Sequence, residues 1–435
     1  MEEEIKSRLL KNLRRRYART GKTEKGKIIT EVEKLLCVGR RQARRLLSES
    51  EVGRPAKSRR GRRSQYCDAA FKKTLKLVWK QTYFMCSKHL KVALPEWFPY
   101  VKMAYPASFT EDIEDRLLKV SPATIDRILK PYKAIKGKSL TNPGSFRDEI
   151  PIQTNIWNVA KPGFIEADTV AHCGKTTEGQ FLWSVTAVDI ATIWHEARAS
   201  YGKGSYNVVK AIESIEDSLP FLLCGYDSDN GTELLNKHIL NYFTKERTQR
   251  GRPAVQVTRC RPYHKNDQAH IEQRNDSLAR RWLGYERIEF EQVEPLVTYY
   301  YAYIVCPLTN HFFPTHKLHE KRQIQSRTRR IYKKPVTPYQ RVLASEHVPE
   351  SQKAVLETLH SALNPLELRK QERVLRGQID KAIKAANAGC LTEGLVEVPN
   401  TPEYFLRYAE DIRKAKRESL SQNAFPFVLP LRQKA

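Results

Sequence analysis

Apolar residues at the start of the chain recur at helical spacing. Ile28, Ile29, Val32, Leu35 and Leu36 are followed by Val38-Gly39 and then by Ala43, Leu46 and Leu47. Residues 1 to about 50 therefore read as helical, with two short helices joined by a tight turn and Gly39 expected to relieve the strain at the corner. The second of these helices carries Arg40, Arg41, Arg44 and Arg45. It reads as the recognition helix of a helix-turn-helix or as one arm of a helical hairpin with a solvated basic face. A second helical region covers about 66–131, and at its end Ser121 can cap, and Pro122 can start, a helix that follows the short one at Glu111–Leu118.

From about residue 163 the period changes. Segments at 163–170, 180–188 and 193–199, rich in Phe, Val, Ile, Thr and Trp, predict a β-meander, and an amphipathic helix follows at about 205–218. Then come a buried strand at Phe221–Tyr226, a helix at about 232–246, a strand at Val255–Val257 and a helix at about 267–283. The order β-β-β-α-β-α-β-α predicts a mixed sheet with helices on both faces. Further on, Lys317–Lys334 alternates apolar with basic residues and reads as a small β-module or a solvated linker, with a charged helical tail beyond it.

Stretches without periodicity separate these regions. The expected division is a helical module at 1–52, a basic linker at 53–65, a second helical module at 66–131, a linker at 132–162, an α/β core at 163–308 and a basic C-terminal region at 309–435. Within the first linker, Gly53-Arg54-Pro55 can lie extended in a narrow minor groove through Arg54 or serve as plain basic linker.

Composition narrows the partner. The chain has 435 residues, a 40% hydrophobic content sufficient for a core, and a formal charge of +27 that points to a polyanion. Arginine pairs recur along the whole length, as in Arg59-Arg60, Arg280-Arg281 and Arg329-Arg330, a distribution that suits a phosphate backbone better than a membrane anchor. No apolar run approaches the roughly 20 residues of a membrane span, and Met1-Glu2-Glu3-Glu4 lacks the layout of a signal peptide. An intracellular protein with no membrane partner is expected. Eight cysteines without a Cys-x-x-Cys pair argue against a disulfide framework or zinc ribbon, and Cys260, His264 and His270 fit no standard finger.

The candidate chemistry lies in three acids. Asp168 sits in the first predicted strand, Asp229 follows the central strand in Ser228-Asp229-Asn230-Gly231, and Glu272 lies in the first turns of the last core helix. If the first and fourth strands are neighbours, the three converge. Three carboxylates at close quarters repel unless cations occupy the cleft, and two divalent ions held there could drive in-line displacement at phosphorus. Asp227 is the local alternative to Asp229.

These residues resemble the retroviral-type integrase core of the DDE transposases. The likeness rests on strand-borne Asp168, on Ser228-Asp229-Asn230-Gly231-Thr232-Glu233-Leu234, and on Arg261-Pro262-Tyr263-His264-Lys265 leading to Glu272; it covers about 163–305, with Val188-Asp189 and Thr192 resembling the second strand. It favours Asp229 over Asp227. It implies an RNase H-like core, Asp168, Asp229 and Glu272 as catalytic metal ligands, two magnesium or manganese ions, and a homo-oligomer on double-stranded DNA, both element ends and target. The helical N-terminus extends the resemblance to bacterial insertion-sequence transposases, with a cytoplasmic, nucleoid-associated location. Candidate DNA contacts are Arg40, Arg41, Arg44, Arg45 and Arg54, with Lys265, Arg280 and Arg281 near the reacting ends. The chain departs from the family where many relatives carry a basic residue seven positions after the glutamate: here it is Ala279, followed by Arg280 and Arg281. Two other readings remain: a non-catalytic DNA-binding regulator that keeps the fold, and an RNase H-like nuclease.

Overall fold

The apolar spacing of the N-terminal segment closes α1 (Glu3–Arg19), α2 (Lys22–Leu36) and α3 (Arg40–Ser48) around one small core. They belong to a computed structural model that describes residues 3–48, 65–133, 161–202, 204–228, 234, 237–259, 276–324 and 327–422. The chain divides into two units, Met1–Cys67 and Asp68–Ala435. In the first, Leu13, Ile28, Ile29, Val32, Ala43 and Leu47 form the core, and each large aliphatic side chain buried there contributes about 1.5–3 kcal/mol. Arg14 Nε donates to the Leu46 carbonyl at 2.7 Å and ties α1 to α3. The corner between α2 and α3 is turned at Cys37, with φ 51°, and not at the expected Gly39. The left-handed residue falls directly at the end of α2, where helices commonly stop. Gly39 instead offers its carbonyl to the amides of Gln42 and Ala43, at 2.8 and 3.0 Å, and so opens α3.

The second unit begins with α4 (Ala69–Gln81), α5 (Ser87–Ala104), α6 (Glu111–Lys119) and α7 (Pro122–Leu129). The Ser121 hydroxyl caps α7 by accepting the Thr124 amide, and Pro122 occupies the first turn, as the sequence predicts. The sheet follows. β1 (Phe164–Ala171), β2 (Leu182–Asp189) and β3 (His195–Tyr201) form an antiparallel meander. β4 (Gly225–Ser228) and β5 (Gln256–Arg259) extend the sheet on the other side of β1, both parallel to it, in the order β3-β2-β1-β4-β5. The sheet is thus mixed and five-stranded, and helical regions flank it in the chain.

The expected strand Phe221–Tyr226 forms later, at Gly225–Ser228. Phe221 and Leu223 are buried, which explains the apolar signal, but pairing waits for Gly163. The Cys224 amide donates to the Gly163 carbonyl at 2.7 Å, and a Cβ on Gly163, whose φ is +109°, would meet the Leu222 carbonyl oxygen at 2.2 Å. Only glycine fits that close approach.

Helices cover both faces. Arg198 of β3 donates to Ser214 and Ser218 of α8 (Ser205–Ser218), and Phe243 of the helix at 237–249 stacks near Tyr226 of β4. On the other face, His195 Nε2 is 2.7 Å from the Thr309 hydroxyl of the helix at 294–312. Among the described residues, no helix is long and apolar enough to cross a membrane.

Residues 318–332 form an antiparallel ribbon of β6 (Leu318–Ile324) and β7 (Arg327–Tyr332). The segment beyond it is helical, as expected, but it packs through an apolar face instead of trailing as a charged tail. The helix Pro365–Asn387 buries Leu368, Leu375, Ile379 and Ile383, and its Glu372 accepts from Tyr300 of the helix at 294–312 and from Tyr83 beyond α4, both at 3.1 Å. A narrow apolar stripe among many charges makes a helix read as tail by composition although one face is buried.

One buried network carries a pH dependence. His172, just past β1, lies with Nε2 2.7 Å from the Ser184 hydroxyl, which is 2.8 Å from the Tyr301 hydroxyl. Burial, aided by the charges of Arg280 and Arg376, pushes the imidazole pKa down to about 3. An unfolded histidine titrates near 6.5. Acidification from 6.5 toward 3 thus protonates the unfolded chain before the folded one, and stability falls by about 1.4 kcal/mol per pH unit in that window. Urea denaturation at pH 6.5 and 5 should show a loss of about 2 kcal/mol from this residue, and His172→Gln should remove it. An undiminished acid sensitivity in that variant would exclude His172 as the source.

Candidate active site

Successive side chains of β1 point to opposite faces of the sheet. Ile165 and Ala167 are buried on the face toward α8, so Glu166 and Asp168 stand on the opposite face. Register carries the pattern across the sheet: Asp168 pairs with Thr186 of β2, and Glu166 pairs with Asp227 of β4. Glu166, Asp168 and Asp227 thus occupy one face of two adjacent parallel strands.

Their surroundings differ. Glu166 and Asp227 are 2% and 5% exposed, whereas Asp168 is half-buried. Asp227 accepts the Thr258 hydroxyl at 2.6 Å. Asp168 accepts its neighbour's amide, Thr169 N–H, at 2.7 Å, and its carbonyl receives the Thr186 hydroxyl at 3.1 Å. Carboxylates so grouped repel one another, and hard cations relieve that repulsion. Among the described residues, no three metal-binding side chains come together closely enough to form a metal site. Asp229 and Glu272 lie outside the described residues, as do Arg54, Lys265 and the Cys260, His264, His270 set.

The remaining candidates fall in two places. Arg40, Arg41, Arg44 and Arg45 are exposed on α3, whose opposite face buries Ala43 and Leu47. Arg40 pairs with Glu33 at 3.1 Å. Arg280 and Arg281 lie on the helix at 276–283, whose Leu278 packs with Val188 of β2 and Ile193. Val188 is on the face that bears Glu166, since the two are paired. Arg280 stacks over Tyr285, and Arg281 donates to the Tyr83 carbonyl at 3.3 Å. Ala279 is fully buried, so a basic side chain at that position would be desolvated; the cations of this helix are the half-buried Arg280 and the exposed Arg281.

Sequence reasoning passed over Glu166 and Thr258. The period of two that made the segment a strand would have placed Glu166 beside Asp168. Thr258 carried no local signal, because only the β4–β5 register brings it to Asp227.

No family model matches the chain. The uncharacterized protein y4rM of Sinorhizobium fredii is 30% identical over 341 residues, which are 77% of this chain and 94% of that protein. The chain belongs to that protein's family. Solved structures similar to this family member include the catalytic core domain of BIV integrase, at 19% identity over 28% of this chain and 70% of that one, with a TM-score of 0.22. Another is a simian T-cell lymphotropic virus intasome in complex with the PP2A regulatory subunit B56 gamma, at 14% identity over 42% of this chain and 59% of that one, with a TM-score of 0.25.

Asp189, at the end of β2, is a structural acid. Its fully buried carboxylate accepts the Gly163 amide at 2.8 Å, the Thr192 amide at 2.7 Å and the Thr192 hydroxyl at 2.6 Å. Burial pushes its pKa up against the pull of these donors. It fastens the entrance of β1 to the turn between β2 and β3. In this family member, Asp189→Ala strands three buried donors and should cost about 3 kcal/mol or more in urea denaturation. A loss below about 1 kcal/mol would contradict that role.

Proposed function

We propose that this chain is a DNA transposase of the integrase type, with Asp168, Asp229 and Glu272 as its catalytic acids. The observation that carries the reading is the parallel pairing of β1 with β4. The strand bearing Asp168 lies beside the strand that ends at Ser228, one residue before Asp229 in the sequence. Asp227 is already engaged by Thr258 inside the sheet, which favours Asp229 for the reacting site. The packing of Leu278 on Val188 supports Glu272 as the third acid, because the helix at 276–283 covers the acidic face and follows Glu272 in the chain.

The donor set is all carboxylate oxygen, which suits hard cations such as magnesium or manganese. Two such ions, when bound, supply activation of the attacking oxygen and neutralisation of the departing one. Asp168, Asp229 and Glu272 would hold and orient them. In the first reaction water attacks phosphorus at the element end, a P–O bond breaks and a 3′-hydroxyl is released. In the second that hydroxyl attacks target DNA, forming a new P–O bond as a target 3′-oxygen leaves.

DNA capture falls to the cationic helices. Modules at 1–52 and 66–131 would grip duplex DNA, with a homo-oligomer holding the element ends, the core at 163–308 acting on them and the ribbon at 318–332 adding positive charge. Arg41 and Arg44 are exposed and make no ion pair among the described residues, which makes them the foremost phosphate contacts on α3.

Asp168→Asn, Asp229→Asn and Glu272→Gln should each lower strand transfer with magnesium by at least about 10²- to 10³-fold while leaving duplex binding intact. Wild-type transfer in any of them would remove that acid from the site. Specific binding without any chemistry in the wild type would point to a regulator, and preferential cleavage of RNA–DNA hybrids to a ribonuclease. Substituting Arg41 and Arg44 together by glutamine should reduce the salt slope of duplex binding by about 1.8, the value for two phosphate contacts. An unchanged slope would place DNA elsewhere.

A further inference from the structure

A cavity of about 310 Å³ opens between the residues that lead into β4 and the C-terminal helix Glu403–Gln422. Leu222, Leu223 and Arg252 in its wall precede β4 and β5, so it sits at the opposite ends of those strands from Ser228. It is strongly cationic. Arg247, Arg250, Arg252, Arg413, Lys416 and Arg417 line it against the carboxylates of Glu216 and Asp217.

Both carboxylates are already committed. Glu216 binds Arg247 at 2.8 Å and Arg252 at 3.3 Å, and accepts the Tyr242 hydroxyl at 2.8 Å; Asp217 binds Arg252 at 2.6 Å. Burial raises the Glu216 carboxyl pKa, but Arg247 and Arg252 outweigh it and hold the group below its ordinary value. Arg250 pairs with Glu213, outside the cavity wall. Lys416 Nζ donates to the Glu216 carbonyl at 3.1 Å.

Positive charge is left over. Arg413 and Arg417, exposed one helical turn apart, form no ion pair among the described residues. Arg247 is 1% exposed, and among the described residues its Nη1 has no hydrogen-bond partner. A buried guanidinium N–H without an acceptor is costly, and a phosphate oxygen is the acceptor its planar fork matches best. Residues 423–435 contain no Asp or Glu.

We propose that this cavity is a second phosphate site, which takes a backbone phosphate of nucleic acid at the end of the sheet away from the acids of β1 and β4. The nucleic-acid occupant rests on the function proposed above. Deep cations with exposed arginines at the rim suit an extended polyanion that passes across the opening, with one phosphate seated inside.

The test uses the full chain with Arg413→Gln and Arg417→Gln combined, a duplex oligonucleotide followed by fluorescence anisotropy over a range of salt, and inorganic pyrophosphate followed by calorimetry. The double variant should bind duplex several-fold more weakly, with a salt slope lower by about 1 to 2 and an unchanged melting temperature; Lys at both positions should restore the slope. If the double variant melts early, Arg417→Gln alone, at an exposed position, provides the same readout. Wild-type affinity and slope in the variants would overturn this site while leaving the proposed function standing. Pyrophosphate binding that is lost in the variant while duplex binding is unaltered would assign the cavity to a free phosphate ligand and overturn the nucleic-acid occupant. A wild type that fails to bind duplex at all would sink both readings.

Discussion

The parallel pairing of β1 with β4 is the constraint on which the rest of this structure depends. β1 is antiparallel to β2 on one side and parallel to β4 on the other, and it therefore joins the meander to the α/β half of the sheet. The pairing requires the backbone at Gly163 to approach Leu222 and Cys224 more closely than any side chain permits. Asp189 secures the same point from the β2 side. With both in place, alternation along β1 directs Ile165 and Ala167 to one face, and Glu166 and Asp168 to the other.

Three buried acids of this fold are each met by more than one donor. Glu196 receives Arg198 and the Trp194 indole, at 3.1 and 3.0 Å. Glu216 receives arginines and a tyrosine, and Glu372 joins two tyrosines from separate helical layers. Such groups add little net stability compared with apolar packing, but losing one partner leaves an uncompensated charge. The acidic face of β1 and β4 is a different case, because its carboxylates stand near one another on the sheet, with Asp168 only half-buried.

Opposite signs are segregated along the chain. Arginines crowd the outer face of α3 and the second half of the helix Glu403–Gln422, while acids collect on one sheet face. Cations at the surface favour a polyanion through release of its counterions, and clustered carboxylates favour hard cations. Each arrangement is of limited use alone, and together they suit the function proposed above.

Local pattern determined much of this by itself. The stripe Ile28, Ile29, Val32, Ala43, Leu47 was legible because a helix repeats every 3.6 residues, the start at Ser121-Pro122 because capping is local chemistry, and the order of strands and helices because period reports element type. Tertiary structure alone decided the rest. Cys37 turns the corner assigned to Gly39, β4 begins only where Gly163 offers pairing, Thr258 reaches Asp227 through register, and the charged C-terminal helices bury an apolar stripe against the core. These are contacts between residues far apart in sequence, whose energies depend on which backbones and faces meet, and no window of neighbouring residues contains that information.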